Sequence, residues 1–263
     1  MGTFTILTAA TGAAGVVGVP MLFGISLLSL TVGLSIGFVQ GKGQIFPRNL
    51  VDEAKNTDAP YTCDFCTASS LAEACDLTRP HYRDEYVSGE HAEAWRKVNP
   101  KAFVDLVNNE GELCATFGVL ALTPSFSDQF VKGNVTDLML KDDDILDFEQ
   151  SKRSSRLYIS GVVVREPDTH IGRKRAAAML WVMAHYIERL YGTRKKRTLY
   201  ALAVTAASER LMKNLGFRIA RDRRYRQDNY DLYCYELTPQ SWKTLKGNVR
   251  VYGDSSAVCH CSF

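Results

Sequence analysis

A polar loop, Arg165 to His170, joins a β-branched run, Tyr158-Ile-Ser-Gly-Val-Val-Val164, to a helix-favouring segment that starts at Ile171 and carries Gly172, Arg173 and Lys174. A helix that begins directly after a strand turns its first backbone N–H groups toward whatever binds there, and its dipole favours an anion. The chemistry offered is the holding of a negatively charged group. Two other sets of residues have suggestive types. Cys63-x-x-Cys66 and Cys259-His260-Cys261 hold zinc-type donors. On a strand, however, that spacing sends the two thiols to opposite faces, so ordinary thiols and no metal are expected. Asp142, Asp143 and Asp144 are adjacent, without the alternate spacing and turn glycine of a calcium loop, and read as a solvated loop.

The elements around the junction follow in order. After the strand Tyr158–Val164 comes a helix rich in Ala, Leu and Met from Ile171 to Gly192, then a strand from Thr198 to Thr205. A short helix, Ala207 to Leu215, is stopped by Gly216. Phe217–Asp222 and Asp231–Leu237 read as an antiparallel pair. Upstream, Tyr61 to Cys66 reads as a first strand, and a helix starts within Ser69–Cys75, with Ser70 and Glu73 at capping-box spacing. Pro100 to Val107 reads as helix, Glu112 to Leu122 as a buried strand, and Ser125 to Lys132 as a short helix. These elements give an α/β domain over 61–238, with a C-terminal tail over 239–263.

From Tyr61 to Leu237 the chain resembles the GNAT superfamily of acyl-coenzyme A dependent N-acyltransferases. The closest likeness is Ala207 to Phe217, similar to the family's helix that ends in Leu-Gly-Phe, here Leu215-Gly216-Phe217. The family's signature loop has Arg or Gln, two residues, Gly, one residue, then Gly or Ala. Aligned on Val162, Gly172 is its second glycine. Aligned on Val164, Gly172 is the first, with Thr169 and Lys174 in the other places; both registers stay open. The resemblance implies an α/β fold with a mixed, V-split β-sheet flanked by helices. Its strands Tyr158–Val164 and Thr198–Thr205 would splay to admit the pantetheine arm of acetyl-CoA or another acyl-CoA as co-substrate. Backbone groups of Val162 and Val164 would pair with that arm, and Gly161 could mark a bulge that helps the strand splay. Ile171, Gly172, Arg173 and Lys174 would face the pyrophosphate. The stretch Arg79 to Trp95 would cover an amine acceptor whose identity the sequence does not give.

The chain also departs from the family. Met212 stands where a Tyr often protonates the leaving thiolate, and Thr205 stands where an Asn is common. Ser208 could substitute as the catalytic donor, as could Tyr200, Tyr233 or Tyr235, or the thiolate could leave unassisted. Asp84, Glu85 and Glu112 are candidate bases by position alone. The leading expectation is an N-acyltransferase. The alternative is a catalytically weak GNAT-like domain used for binding or structure within a membrane or multiprotein assembly.

Across all 263 residues the formal charge is +3 and the pI about 8.4, which does not indicate a nucleic-acid partner. Arg218, Arg221, Arg223, Arg224 and Arg226 read as a solvated face. Seven Cys are too sparse for a disulfide scaffold, and reduced thiols are expected. Residues 1–41 contain no Asp, Glu, Lys or Arg. Met21 to Val39, 19 residues, would span about 28 Å as a helix, near the hydrocarbon thickness. A transmembrane or membrane-associated helical segment is expected there, followed by a linker over 42–60. Lys42 and Arg48 on its C-terminal side place the globular domain in the cytoplasm by the positive-inside rule. Gly33, Gly37 and Gly41, at four-residue spacing, suit close helix approach and leave a homo-oligomer open.

Overall fold

The computed structural model describes residues 61–82, 86–250 and 259–261. The apolar segment 1–41, the linker 42–60, and the membrane, orientation and oligomer expectations attached to them lie outside the described residues, as do Asp84 and Glu85. No helix among the described residues is long and apolar enough to cross a membrane.

Among the described residues, eight strands form one mixed sheet in the order β6-β7-β5-β4-β3-β2-β1-β8. In chain order these are β1 (Tyr61–Phe65), β2 (Phe103–Val107), β3 (Leu113–Leu120), β4 (Arg156–Val164), β5 (Arg197–Ala203), β6 (Arg218–Arg221), β7 (Asp231–Leu237) and β8 (Cys259–Cys261). Only β4–β5 and β1–β8 are parallel. Helices α1 (Ala68–Tyr82), α2 (Gly89–Val98), α3 (Pro124–Lys132), the single turn α4 (Phe148–Ser151), α5 (His170–Tyr191), α6 (Ala206–Asn214) and α7 (Pro239–Arg250) complete the domain.

Strand alternation divides the interior into two cores. Leu157, Ile159, Leu199, Ala201, Tyr233 and Tyr235 face α5, α6 and α7, where Met179, Tyr186, Met212 and Trp242 are buried. Tyr158, Phe103, Leu120 and Leu232 face the opposite way, onto Leu71 of α1, Trp95 of α2 and Phe130 of α3.

Four expectations change. Phe103–Val107 is a strand, not a helix, because it lies between β1 and β3 and pairs with both. The Phe-Val-Asp-Leu-Val composition suits that half-covered pleat. The first-helix cap is Thr67 with Ser70, each side chain bonding the other's backbone N–H; Glu73 instead forms an ion pair with Arg165. Residues 239–250 form α7, with Trp242, Leu245 and Val249 in the core and Lys246 bonded to Glu188 at 2.6 Å. Cys63 is disulfide-bonded, against the expectation of thiols throughout, whereas Cys66, Cys75, Cys114 and Cys234 are free.

Candidate functional site

The site is built where β4 and β5 part. Their pairing runs from Arg156↔Thr198 to Ile159↔Ala201 and stops, although both strands continue. The cause is local to β4. Against β3, Gly118 pairs with Gly161 and Val119 with Ile159, so Ser160 is an extra residue with no opposite number. A bulge of this kind bends the strand and raises its twist, which turns β4 away from β5. It falls beside Gly161, the glycine proposed to mark it. Gly118 is needed opposite: a Cβ there would overlap the Ser160 hydroxyl and the Phe103 ring.

Beyond the bulge, β4 keeps β3 on one side only. Arg165 N–H donates to Cys114 O at 2.9 Å across that ladder. Period-two alternation then directs the backbone groups of Val163 and Gly161 to β3, and those of Val162 and Val164 to the open edge. The two residues expected to pair with a pantetheine arm thus present unpaired amide groups along the split. Their side chains pack against the α5-side core.

At the end of β4 a tight loop leads into α5. Thr169 caps the helix, its hydroxyl accepting from Gly172 N–H at 2.9 Å and its carbonyl from Arg173 N–H. Ile171 is exposed and its amide has no acceptor within the helix. Gly172 is buried, and a Cβ on it would overlap the carbonyl of Glu166, itself at positive φ (54°). Gly172 therefore lets the loop pack on the helix, a different service from offering its amide to a phosphate. Arg173 donates to Asp168 O at 3.0 Å and braces the same loop. Lys174 is half-buried in that first turn.

On the other face of the sheet lies a small cleft lined mostly by apolar side chains. Residues of α1 and α2 form one wall, of which Ala92 and Trp95 belong to the stretch Arg79–Trp95. Gly161 and Val163 belong to the floor, and Ser160 opens onto it, so the cleft adjoins the bulge at which β4 leaves β5.

Among the described residues, the only carboxyl in the lining is that of Asp137, in a 3₁₀ turn over Asp137–Met139. It accepts a hydrogen bond from the Tyr158 hydroxyl at 3.0 Å. Burial pushes its carboxyl above the ordinary 3.8; the Tyr158 bond opposes that rise and the negative Asp228 adds to it. Asp228 is itself held by Arg226 in a buried two-pronged pair. A carboxylate so raised is a better acceptor for an ammonium proton at neutral pH. Nothing in the sequence near Asp137 marks it out. Glu112, a base candidate by position, instead accepts from Asn108 Nδ2 at 2.9 Å in the β2–β3 turn.

Ser208 sits at the third position of α6 in a capping box with Thr205. Its hydroxyl donates to Thr205 O at 2.8 Å and accepts from Thr205 N–H. Met212 is buried. Of the tyrosines considered as substitutes, Tyr235 donates to Ser241 O at 2.9 Å, Tyr200 is half-buried toward the cleft-side core, and the Tyr233 hydroxyl is buried without a hydrogen-bond partner.

No family model matches the chain, and no curated protein matches its sequence. Solved structures with a similar chain course include an acetyltransferase of the GNAT family from Listeria monocytogenes, 12% identical, covering 67% of this chain and 95% of that one, with a TM-score of 0.43. Another is yncA from Salmonella typhimurium, a putative acetyltransferase with its cofactor acetyl-CoA, at 15% identity, 68% and 94% coverage and a TM-score of 0.42. A third is the spermidine/spermine N-acetyltransferase SpeG from Vibrio cholerae, in mutant forms, at 10% identity, 70% and 96% coverage and a TM-score of 0.43. These values describe a distant likeness.

Proposed function

We propose that this chain is an N-acyltransferase that moves an acetyl or other acyl group from acyl-CoA to an amine. The observation that carries the reading is the parting of β4 from β5 after Ile159, which leaves the amide groups of Val162 and Val164 facing an open edge a few residues from a cleft with one raised carboxyl. An extended arm with its own amides suits that edge as a missing strand would. The first turn of α5, with the Ile171 amide and Lys174, would hold the pyrophosphate, and Arg173 and Gly172 would keep the loop in shape. When bound, acyl-CoA supplies an activated thioester carbonyl.

The residues of this chain then do the rest. Asp137 holds the incoming ammonium and takes its proton, so that the neutral amine can attack. The bulged backbone at Ser160–Gly161 sets the reacting atoms between cleft and split, which converts a bimolecular encounter into an oriented one. Ser208 is committed to its cap and Met212 has no proton to give, so in this reading the sulfur leaves as the thiolate, and the proton that the nitrogen loses after addition passes to it or to water. This is tolerable for a thiol of pKa about 8.5.

The charge-free run 1–41 supports a further element of the proposal, a membrane tether for this domain, with the domain on the cytoplasmic side. Calorimetric titration of the full-length chain with coenzyme A, followed by thiol release from acetyl-CoA with mixed amines, tests the activity. Binding without release would favour the alternative of a GNAT-like binding domain, and absence of both would refute the proposal.

A further inference from the structure

The chemistry of the cleft narrows the acceptor, an inference that rests on the acyltransfer reading only for what happens after binding. Among the described residues, Asp137 is the only charged side chain in the lining. The carboxylate of an amino acid, or a phosphate, would be desolvated there with no counter-charge. The extra positive charges of a polyamine would meet apolar walls.

The hydrogen-bonding groups of the walls are already in use. Thr116 donates to the buried Asp105 at 2.6 Å. Thr78 donates to Cys75 O at 2.6 Å, and Trp95 Nε1–H donates to Leu140 O at 3.2 Å. Burial pushes the Cys75 thiol up to about 11, so that it stays neutral. A peptide acceptor, which brings a backbone donor and acceptor with every residue, would find few partners. What remains is apolar surface from Leu71, Ala74, Val87, Ala92, Trp95 and Phe103, one hydroxyl from Ser160 and one carboxylate.

We infer that the acceptor is an apolar primary monoamine, its ammonium on Asp137 and its aliphatic or aromatic tail along the α1–α2 wall. Such a molecule matches the site group for group: one cation, few other polar atoms, and a hydrocarbon body.

Direct binding tests this independently of turnover. The full-length protein is titrated calorimetrically with 2-phenylethylamine, phenylalanine and spermidine, each with and without coenzyme A. The expected result is that 2-phenylethylamine binds at least ten-fold more tightly than the other two. Asp137→Asn, which keeps the shape, and Ala74→Leu, which fills the wall, should each weaken it ten-fold or more. If Ala74→Leu does not fold, the isosteric Asp137→Asn decides alone. The inference is overturned if 2-phenylethylamine fails to bind, if spermidine or phenylalanine binds as tightly, or if the variants leave its affinity unchanged. Coenzyme A binding in the same experiments judges the acyltransferase reading separately: amine binding without coenzyme A binding would keep the inference and sink that reading.

Discussion

Replacing Asp137 by Asn separates catalysis from stability in a way that the site's electrostatics dictate. The amide has the same shape and can still accept from Tyr158, whose hydroxyl lies 3.0 Å from the carboxylate, but it cannot take a proton. General-base assistance is typically worth 10²- to 10⁴-fold, so kcat/KM should fall by about that factor, or roughly 3–5 kcal/mol of barrier. Stability should behave differently. Weakening a hydrogen bond from a charged to a neutral acceptor costs about 1 kcal/mol. Against this, the folded carboxyl is raised above 3.8 by burial and by Asp228, so its ionised form is disfavoured in the fold. The sign is fixed by linkage. A carboxyl raised on folding contributes stability below its unfolded pKa, and that contribution is lost as pH rises through the folded pKa. At neutral pH the native Asp is therefore a net cost that Asn removes. The two terms oppose each other, so Tm should fall by no more than about 4 °C, at roughly 2–4 °C per kcal/mol for a domain of this size. In the native protein, kcat/KM should fall as pH drops, with the acid limb above the ordinary carboxylate range, and the variant should lack that limb. Thiol-release kinetics across pH and a thermal melt check both halves. Activity within a factor of three of native, or a melt lowered by far more than 4 °C, would refute the reasoning.

Val162→Pro should weaken coenzyme A binding by about ten-fold, equivalent to about 1.4 kcal/mol, because it deletes a split-facing N–H that makes no bond to β3; calorimetry at an unchanged melting temperature is the check. Gly172→Ala should cost about 1–3 kcal/mol by forcing a Cβ into the Glu166 carbonyl, and should also loosen the loop before α5; denaturant unfolding measures the first effect and coenzyme A titration the second. Arg197 is buried and donates to Lys152 O at 2.6 Å and Gly192 O at 3.4 Å, with no ion pair among the described residues. Arg197→Ala should lose about 3 kcal/mol in chemical denaturation, because those carbonyls lose a charged donor and a cavity opens. Deleting residues 1–41 should move the protein from the membrane to the soluble fraction, since they carry no charged side chain; fractionation that shows both forms soluble would remove the tether.

Much of the second half of the domain was legible. Strand, helix, strand and helix from Tyr158 to Leu215 fall within a residue or two of their observed bounds, because β-branched runs, an Ala-rich helix and the stop at Gly216 each carry a local signal. Val162 and Val164 were named only through the family resemblance, and which edge their backbone groups face follows from where the pairing of β4 with β5 stops. The segment Phe103–Val107 was misread because five apolar and acidic residues after Pro100 fit either period. Its strand identity comes from neighbours on both sides. The tail at 239–250 was misjudged for a similar reason: Trp242, Leu245 and Val249 matter only because α5 and β7 offer them a face.

What the sequence by itself determined about this protein is the succession of elements, since propensity, capping and alternation act over a few residues and need no partner. The charge-free N-terminal run and the helix start after β4 belong to the same kind of information. Only the tertiary structure decided the chemistry. Asp137 resembles any other acid in a polar loop until the fold brings in Tyr158, 21 residues away, and Asp228 from beyond β6. Likewise, the bulge at Ser160 exists only as a mismatch between β3 and β4, and Gly172 is required by a carbonyl folded back upon it. Desolvation, through-space charge and close approach depend on which surfaces meet, and that is settled by packing rather than by any stretch of neighbouring residues.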